Sequence, residues 1–131
     1  MPRLALIVLP VLLLGPAVRA TAQTPTSSLT GDATYRLYCA SCHGSRGHGD
    51  GPLASTLRRT PRDLTTLAAS NGGHFPADLV AQVIDGRKPA KGHGGGEMPV
   101  WGDAFSRSDE HTPVADRIGR VVRYLESLQG R

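Results

Sequence analysis

A chain of 131 residues with 15 basic and 11 acidic side chains has room for one small domain and carries a formal net charge of +4. This charge is too weak, and the basic residues are too scattered, to indicate a nucleic-acid partner. The two cysteines are too few for the several disulfides that often hold a small secreted domain together.

The first 22 residues have the three parts of a secretory signal peptide. Arg3 supplies the positive start, residues 4–14 form an apolar core, and Ala20-Thr21-Ala22 is a small-residue cleavage site. The apolar core is shorter than the roughly 20 residues that a membrane-spanning helix needs. We therefore predict that residues 1–22 are removed and that the mature protein lies in the periplasm. An uncleaved signal, retained as an anchor, is the alternative.

A polar leader and a helix follow the predicted cleavage site. Residues 23–29 are rich in Thr, Ser and Pro and lack apolar periodicity, which predicts a flexible leader before a single domain at residues 30–131. Thr30 is a favourable N-cap residue, and Tyr35, Tyr38 and Cys39 follow at helical spacing. The sequence therefore predicts a helix that leads into the two cysteines.

The pentapeptide Cys39-Ala40-Ser41-Cys42-His43 is the most informative motif in the chain. Its C-x-x-C-H spacing is that of a covalently attached c-type haem. Both thiols would add to the haem vinyl groups, and the His43 imidazole would bind the iron from the proximal side. We therefore predict one haem c, attached through Cys39 and Cys42.

Paired cysteines also occur in zinc sites and in dithiol redox proteins, and both are alternatives to haem attachment. A structural zinc site needs four ligands, and the chain has no second cysteine pair or spaced histidine pair. A thioredoxin-type motif follows a buried apolar strand, which residues 30–38 do not resemble. Haem attachment is therefore the favoured interpretation.

Between this motif and the last helix the sequence predicts a loop and two helices. Residues 44–51 contain four glycines and predict a tight loop whose backbone approaches another part of the molecule. Asp63 can cap a short helix that stops at Asn71-Gly72-Gly73. Another helix is predicted to begin with Pro76 and to stop at Gly86. Its apolar stripe consists of Leu79, Val80, Val83 and Ile84.

The last helix has the strongest apolar pattern, with Thr112 as N-cap and Pro113 as first residue. Its apolar face consists of Val114, Ile118, Val121, Val122, Leu125 and Leu128. Its polar face is predicted to consist of Asp116, Arg117, Arg120, Arg123 and Glu126. Since no segment has the pattern of a strand, the predicted fold class is all-α, a small bundle of about four helices wrapped around one covalently bound haem.

The second iron ligand is predicted to be Met98, the methionine that remains once the signal is removed. The following Pro99 favours extended backbone at Met98, and the glycines before it allow a loop to approach a flat ring. A thioether is an established axial ligand of haem iron. The alternatives are His93 or an open or water-bound position. The remaining histidines, His48, His74 and His111, are expected to face solvent.

Together these residues resemble the class I cytochrome c family, in its bacterial monohaem form, over residues 31–128. In that family a glycine of the N-terminal helix lets the C-terminal helix cross closely, and aromatic residues pack beside it; Gly31, Tyr35 and Tyr124 match these positions. Pro52 resembles the proline that packs beside the proximal imidazole and whose carbonyl accepts its N–H. The resemblance implies a haem site made of Cys39, Cys42, His43, Pro52 and Met98, with His43 and Met98 on the iron.

Iron that is saturated by histidine and methionine has no position for a substrate, so the expected function is transfer of single electrons between redox proteins. The protein would be a monomer and not itself an enzyme. The alternative is a cytochrome subunit docked permanently on a dehydrogenase or oxidase complex. A haem sensor would need a labile distal ligand, which the setting of Met98 disfavours. Membrane contact is expected only through partners or through an uncleaved signal.

Overall fold

The computed structural model describes residues 28–87, 98–108 and 111–130. Within these ranges the chain forms five α-helices and no β-strand, which confirms the all-α prediction. The helices are α1 (Gly31–Tyr38), α2 (Ala40–His43), α3 (Ala77–Asp85), α4 (Trp101–Ser106) and α5 (Val114–Ser127). One-turn 3-10 helices lie at Ala54–Thr56, Leu64–Thr66 and Ala69–Asn71. The predicted signal peptide, residues 23–27 of the predicted leader and the segment with His93 lie outside the described residues.

Helix α1 begins as the sequence predicts. Thr30 has extended backbone, and its hydroxyl accepts a hydrogen bond from the Ala33 N–H at 3.1 Å. The helix ends at Tyr38, and beyond Cys39 the chain continues as the single turn α2, which stops at Gly44 with a φ of 80°. The C-x-x-C-H motif therefore lies on and beside α2. None of the helices in the described part of the chain is long and apolar enough to cross a membrane.

Helix α1 crosses α5 at a glycine. A Cβ atom on Gly31 would lie 2.1 Å from the Arg120 carbonyl oxygen, so a side chain there would force the two helices apart. Next to the crossing, the rings of Tyr35 and Tyr124 pack with their centroids 5.1 Å apart. The structure thus confirms the close crossing at Gly31 and the pairing of the two tyrosines.

The hydrophobic core lies between α1, α3, α4 and α5. Residues 118–128 contribute more than half of its buried members, in agreement with the predicted apolar stripe. The buried hydrophobic residues of the described chain are Tyr35, Val80, Ile84, Phe105, Ile118, Val121, Val122, Leu125 and Leu128. Since α1 packs on this core through Tyr35, the core positions the helix that leads into the cysteine motif.

Several predicted boundaries differ from the structure. Helices α3 and α5 each begin one residue later than predicted, because Pro76 and Pro113 stand at the cap position. Their carbonyls accept the first hydrogen bond of each helix, from the N–H groups of Val80 and Arg117. The helix predicted after Asp63 consists of 3-10 turns, although Asp63 caps the first of them as predicted. Helix α4 has no counterpart among the predicted elements, because six residues are too few to show a helical period.

Arg117 contradicts its predicted place on the polar face of α5, since it is 1% exposed. It adjoins the apolar stripe, directly before Ile118, and α4 packs against this part of α5. A long side chain at such a border position can lie along apolar surface. Helix α4, which the sequence did not predict, is therefore the reason that the prediction for Arg117 was wrong.

Replacing Gly31 with Ala is expected to destabilise the protein by about 1–3 kcal/mol, because the new methyl group would overlap the Arg120 carbonyl. Gly119→Ala on α5 is the matched control, since among the described residues its Cβ would meet Arg123 Nη1 alone, at 3.5 Å. That variant is expected to gain up to about 1 kcal/mol from helix propensity. Urea unfolding followed by circular dichroism measures both. Equal stability of the two variants would contradict the close crossing.

Candidate haem-binding cleft

A single cleft brings together side chains that the motif analysis singled out from distant parts of the sequence. It is lined by Cys39, Cys42, His43 and Met98. The other residues that line it are Tyr38, Leu57, Arg59, Thr60, Pro61, Pro99 and Trp101. The two thiols, an imidazole and a thioether therefore share one space.

His43 is held in a defined tautomer. Its side chain is buried, with 7% exposure, and Nδ1 lies 3.2 Å from the Arg62 carbonyl oxygen. A carbonyl oxygen can only accept a hydrogen bond, so Nδ1 carries the proton and its N–H donates to the Arg62 carbonyl. Nε2 is consequently the nitrogen with the lone pair, which is the form that a metal ligand requires. The hydrogen bond also sets the ring orientation and increases the basicity of Nε2.

The acceptor role predicted for Pro52 is wrong, because the carbonyl that accepts from His43 Nδ1 is that of Arg62. Pro52 is exposed, and its neighbour Leu53 bonds through its N–H to the Ser41 carbonyl on α2. Sequence reasoning missed Arg62 because a backbone acceptor depends on the path of the chain and not on the side chain. The only local signal is the preceding Pro61, which is buried and lines the cleft.

The glycine-rich loop after His43 approaches the rest of the molecule through its backbone, as predicted. The Gly49 N–H donates to the His43 carbonyl at 2.8 Å, and the Gly51 N–H donates to the Cys42 carbonyl at 3.2 Å. A Cβ on Gly49 would lie 2.2 Å from the Pro61 carbonyl oxygen, and one on Gly51 would lie 2.5 Å from the Ser41 carbonyl oxygen. Only glycine allows this loop to close against both segments.

A hydrogen bond from Tyr35 connects helix α1 to the same loop. Its ring is fully buried, and its hydroxyl donates to the Gly44 carbonyl at 2.6 Å, directly after His43. The Gly44 carbonyl also accepts from the Gly47 N–H at 3.2 Å. Burial raises the pKa of the Tyr35 phenol above its ordinary value, with a smaller contribution from Cys39. The phenol therefore stays protonated, and able to donate, at any physiological pH.

Cys39 and Cys42 are free thiols and are both half-buried. Burial raises the pKa of the Cys39 thiol to about 12, with a further contribution from Cys42. Dithiol redox proteins have the opposite property, since their attacking cysteine has a lowered pKa and is a thiolate near neutral pH. The surroundings of Cys39 therefore disfavour the dithiol interpretation.

Met98 is half-buried and lines the cleft together with Pro99 and Trp101. The three other histidines in the described residues are exposed, as predicted. His48 Nδ1 lies 3.4 Å from the Asp63 carboxylate, and His74 Nδ1 lies 3.2 Å from the Gly72 carbonyl. Met98, the distal ligand predicted from the sequence, therefore lines the same cleft as His43.

The lining fits a covalently bound haem. Two thiols in C-x-x-C spacing can form the thioether bonds, and His43 presents a metal-binding tautomer. Leu57, Pro61 and Trp101 give the cleft apolar walls, and the Arg59 guanidinium can pair with the carboxylates that such a group carries. The donor set is the one used in His/Met-ligated c-type haem proteins.

Two comparisons with known proteins, one with protein families and one with solved structures, give a match. The family model for cytochrome c oxidase, cbb3-type, subunit III matches residues 27–125. No curated protein matches the chain. A chain of the reducing HAO-like protein complex of Kuenenia stuttgartiensis superposes with a TM-score of 0.53 and 25% sequence identity. The similarity covers 80% of this chain but 44% of that chain, so this chain spans less than half the length of its structural neighbour.

Replacing Tyr35 with Phe is expected to lower the free energy of unfolding by about 1 kcal/mol near pH 7, through loss of the buried hydrogen bond to Gly44. In the unfolded chain a tyrosine ionises near pH 10, whereas burial keeps Tyr35 protonated to higher pH in the folded protein. Above about pH 10 the unfolded state therefore binds fewer protons than the folded state does, and the stability that Tyr35 supplies is lost as the pH rises. The difference between the two proteins should shrink above that pH.

Urea titrations between pH 7 and about pH 11 measure this difference. Thr34→Val is the control, because it removes the neighbouring buried hydroxyl, which donates to the Thr30 carbonyl at 2.9 Å. The loss of stability caused by Thr34→Val should stay the same as the pH rises. A difference between Tyr35 and Phe that stays constant with pH would show that the phenol is not protected in the folded state.

Proposed function

The chain belongs to the c-type cytochrome family described as cytochrome c oxidase, cbb3-type, subunit III, and on that premise we propose that it carries single electrons between redox proteins. We assign it one haem c, attached through Cys39 and Cys42, with His43 and Met98 as axial ligands. The protein itself is an electron-transfer component and not an enzyme.

The observation that carries this proposal is the cleft in which both thiols, the His43 imidazole and the Met98 thioether meet. The chain has two cysteines, which is the number that one attachment motif uses. When bound, the haem supplies a one-electron ferrous–ferric couple. The residues of the chain supply the attachment points, the ligands and the surroundings that set its potential.

The ligands and walls of the cleft favour a high reduction potential. The Met98 thioether is a neutral, soft donor, which raises the potential relative to a second histidine. The apolar side chains of Leu57 and Trp101 disfavour the additional positive charge of ferric iron. The hydrogen bond from His43 to Arg62 acts in the opposite direction, because it increases donation from the imidazole. Since ligand identity has the larger effect, the potential should exceed that of a bis-histidine haem.

We further propose that residues 1–22 direct the chain to the periplasm, where residues 30–131 form the cytochrome domain behind a short leader. A free, monomeric electron shuttle is the first candidate. A subunit that stays docked on an oxidoreductase is the second, and the comparisons support it, since both matches are named after components of larger complexes.

Replacing Met98 with His is expected to lower the reduction potential, because an imidazole favours ferric iron more than a thioether does. Cyclic voltammetry of the purified holoprotein measures the change. Val100→His is the matched control, because it introduces the same side chain two residues away at a position that is 53% exposed. The control should keep the potential of the unmodified protein. An unchanged potential in the Met98 variant would show that Met98 does not bind the iron.

The two candidate settings differ in the size of the native species. Size-exclusion chromatography of native extracts, with haem detection, should give a free small cytochrome if the protein is a shuttle. Co-elution with a larger oxidoreductase would instead support the docked subunit. Absence of covalently bound haem from protein matured in a competent host would refute the proposed function in both settings.

A further inference from the structure

Four side chains from three helices pack together beside the cleft, and we call them the Arg117 cluster. They are Tyr38 at the end of α1, Trp101 and Phe105 on α4, and Arg117 on α5. The Tyr38 ring centroid lies 5.5 Å from that of Trp101 and 5.3 Å from that of Phe105, both in edge-to-face geometry. Such aromatic contacts contribute beyond simple burial of area.

The Arg117 guanidinium holds the cluster together. It lies 4.2 Å from the Phe105 ring centroid and 5.4 Å from the Tyr38 ring centroid. Nη2 donates to the Tyr38 hydroxyl at 3.1 Å, and Nη1 donates to the Ser108 hydroxyl at 2.5 Å. A planar guanidinium has fixed donor directions, so these contacts define one arrangement of α1 against α4 and α5. A flexible or purely apolar side chain could not impose the same geometry.

The cluster connects the two sides of the candidate haem site. Tyr38 directly precedes the attachment residue Cys39, and Trp101 begins α4 three residues after Met98. Tyr38 and Trp101 both line the cleft. Any shift of Trp101 away from Tyr38 therefore moves the segment that carries Met98.

Helix α4 depends on its neighbours for its position. It has six residues, too few for a helix to be stable on its own. Its inner side is fixed by Phe105, which is buried, and by Gly102, where a Cβ would lie 2.8 Å from the Asp85 carbonyl oxygen on α3. Arg117 adds the contacts to α5 and α1. Without them, α4 would keep its packing on α3 and its ring contacts with Tyr38, but it would lose the hydrogen bonds that fix the geometry of those contacts.

We propose that Arg117 is a positioning residue for the distal ligand: through Phe105 and Ser108 it holds α4 against Tyr38, on which Trp101 also packs, and thereby keeps Met98 directed into the cleft. This inference rests on the proposed function, because it assumes that Met98 binds the iron. It predicts that loss of Arg117 makes the distal position labile while His43 and the covalent attachment stay intact. The residue would thus control whether the protein remains a closed electron carrier.

The test compares holoproteins with the substitutions Arg117→Met and Arg117→Lys. Imidazole added to the ferric protein measures how readily the distal ligand is displaced, and the weak long-wavelength band of sulfur-ligated ferric haem measures how much Met98 is bound. In Arg117→Met the affinity for imidazole should rise about tenfold or more, the change expected from losing one charged hydrogen bond. The sulfur band should weaken. Arg117→Lys keeps the charge but not the planar donors. Its affinity for imidazole should therefore lie between that of the unmodified protein and that of Arg117→Met.

Thr34→Val serves as the control for general destabilisation, since Thr34 is fully buried on α1 but lies outside the cluster. It should bind imidazole like the unmodified protein. Wild-type imidazole affinity and a full sulfur band in Arg117→Met would overturn the inference. An equal rise in affinity in Thr34→Val would also overturn it, because the effect would then follow stability alone.

Two further outcomes have defined meanings. If the unmodified protein lacks the sulfur band, Met98 ligation and the proposed function fail before Arg117 is tested. If Arg117→Met yields no holoprotein, Arg117→Lys and Tyr38→Phe decide the question, the latter removing the hydroxyl that accepts from Nη2 while keeping the ring. A rise in imidazole affinity in both supports the positioning role, and wild-type affinity in either one overturns it.

Discussion

The close crossing of α1 and α5 is the constraint on which the rest of the molecule depends. Gly31 lets the backbone of α1 approach the Arg120 carbonyl, and this approach sets the path of α1 towards Cys39. From that path, Tyr35 reaches Gly44 on the proximal side and Tyr38 reaches Arg117 on the other. One contact at the start of a short helix therefore positions the cysteine motif and both groups of residues that pack beside His43 and Met98.

The two sides of the cleft are held by different kinds of interaction. On the proximal side, backbone hydrogen bonds of a glycine-rich loop enclose His43, and the Arg62 carbonyl fixes its tautomer. On the Met98 side, the described structure relies on side-chain packing through Trp101 and Arg117. The loop backbone has no room for a Cβ at Gly49 or Gly51, whereas the side-chain contacts on the Met98 side can be replaced one at a time. The Met98 side is thus the one that single substitutions can adjust while the enclosure of His43 stays intact.

Most of what the sequence predicted correctly depends on local chemistry. The C-x-x-C-H motif, the Thr30 cap and the amphipathic stripe of α5 each follow from residue types at short spacing, and the structure shows the cap and the stripe where they were expected. The acceptor for His43 could not be predicted, because any carbonyl has the same chemistry and only the fold chooses among them. The burial of Arg117 was missed for a related reason, since it depends on α4, a helix too short to have a recognisable period.

The distribution of burial explains why such a small domain would depend on its cofactor. The core lies between α1, α3, α4 and α5, while Tyr38, Leu57, Met98 and Trp101 are half-buried around the cleft. A domain of this size buries too little apolar surface to be more than marginally stable. A flat apolar ring seated in the cleft would remove these side chains from water and enlarge the core against which Tyr38, Met98 and Trp101 already pack. A covalent attachment would keep the ring in place in both oxidation states, so the group proposed to move the electron would also complete the fold.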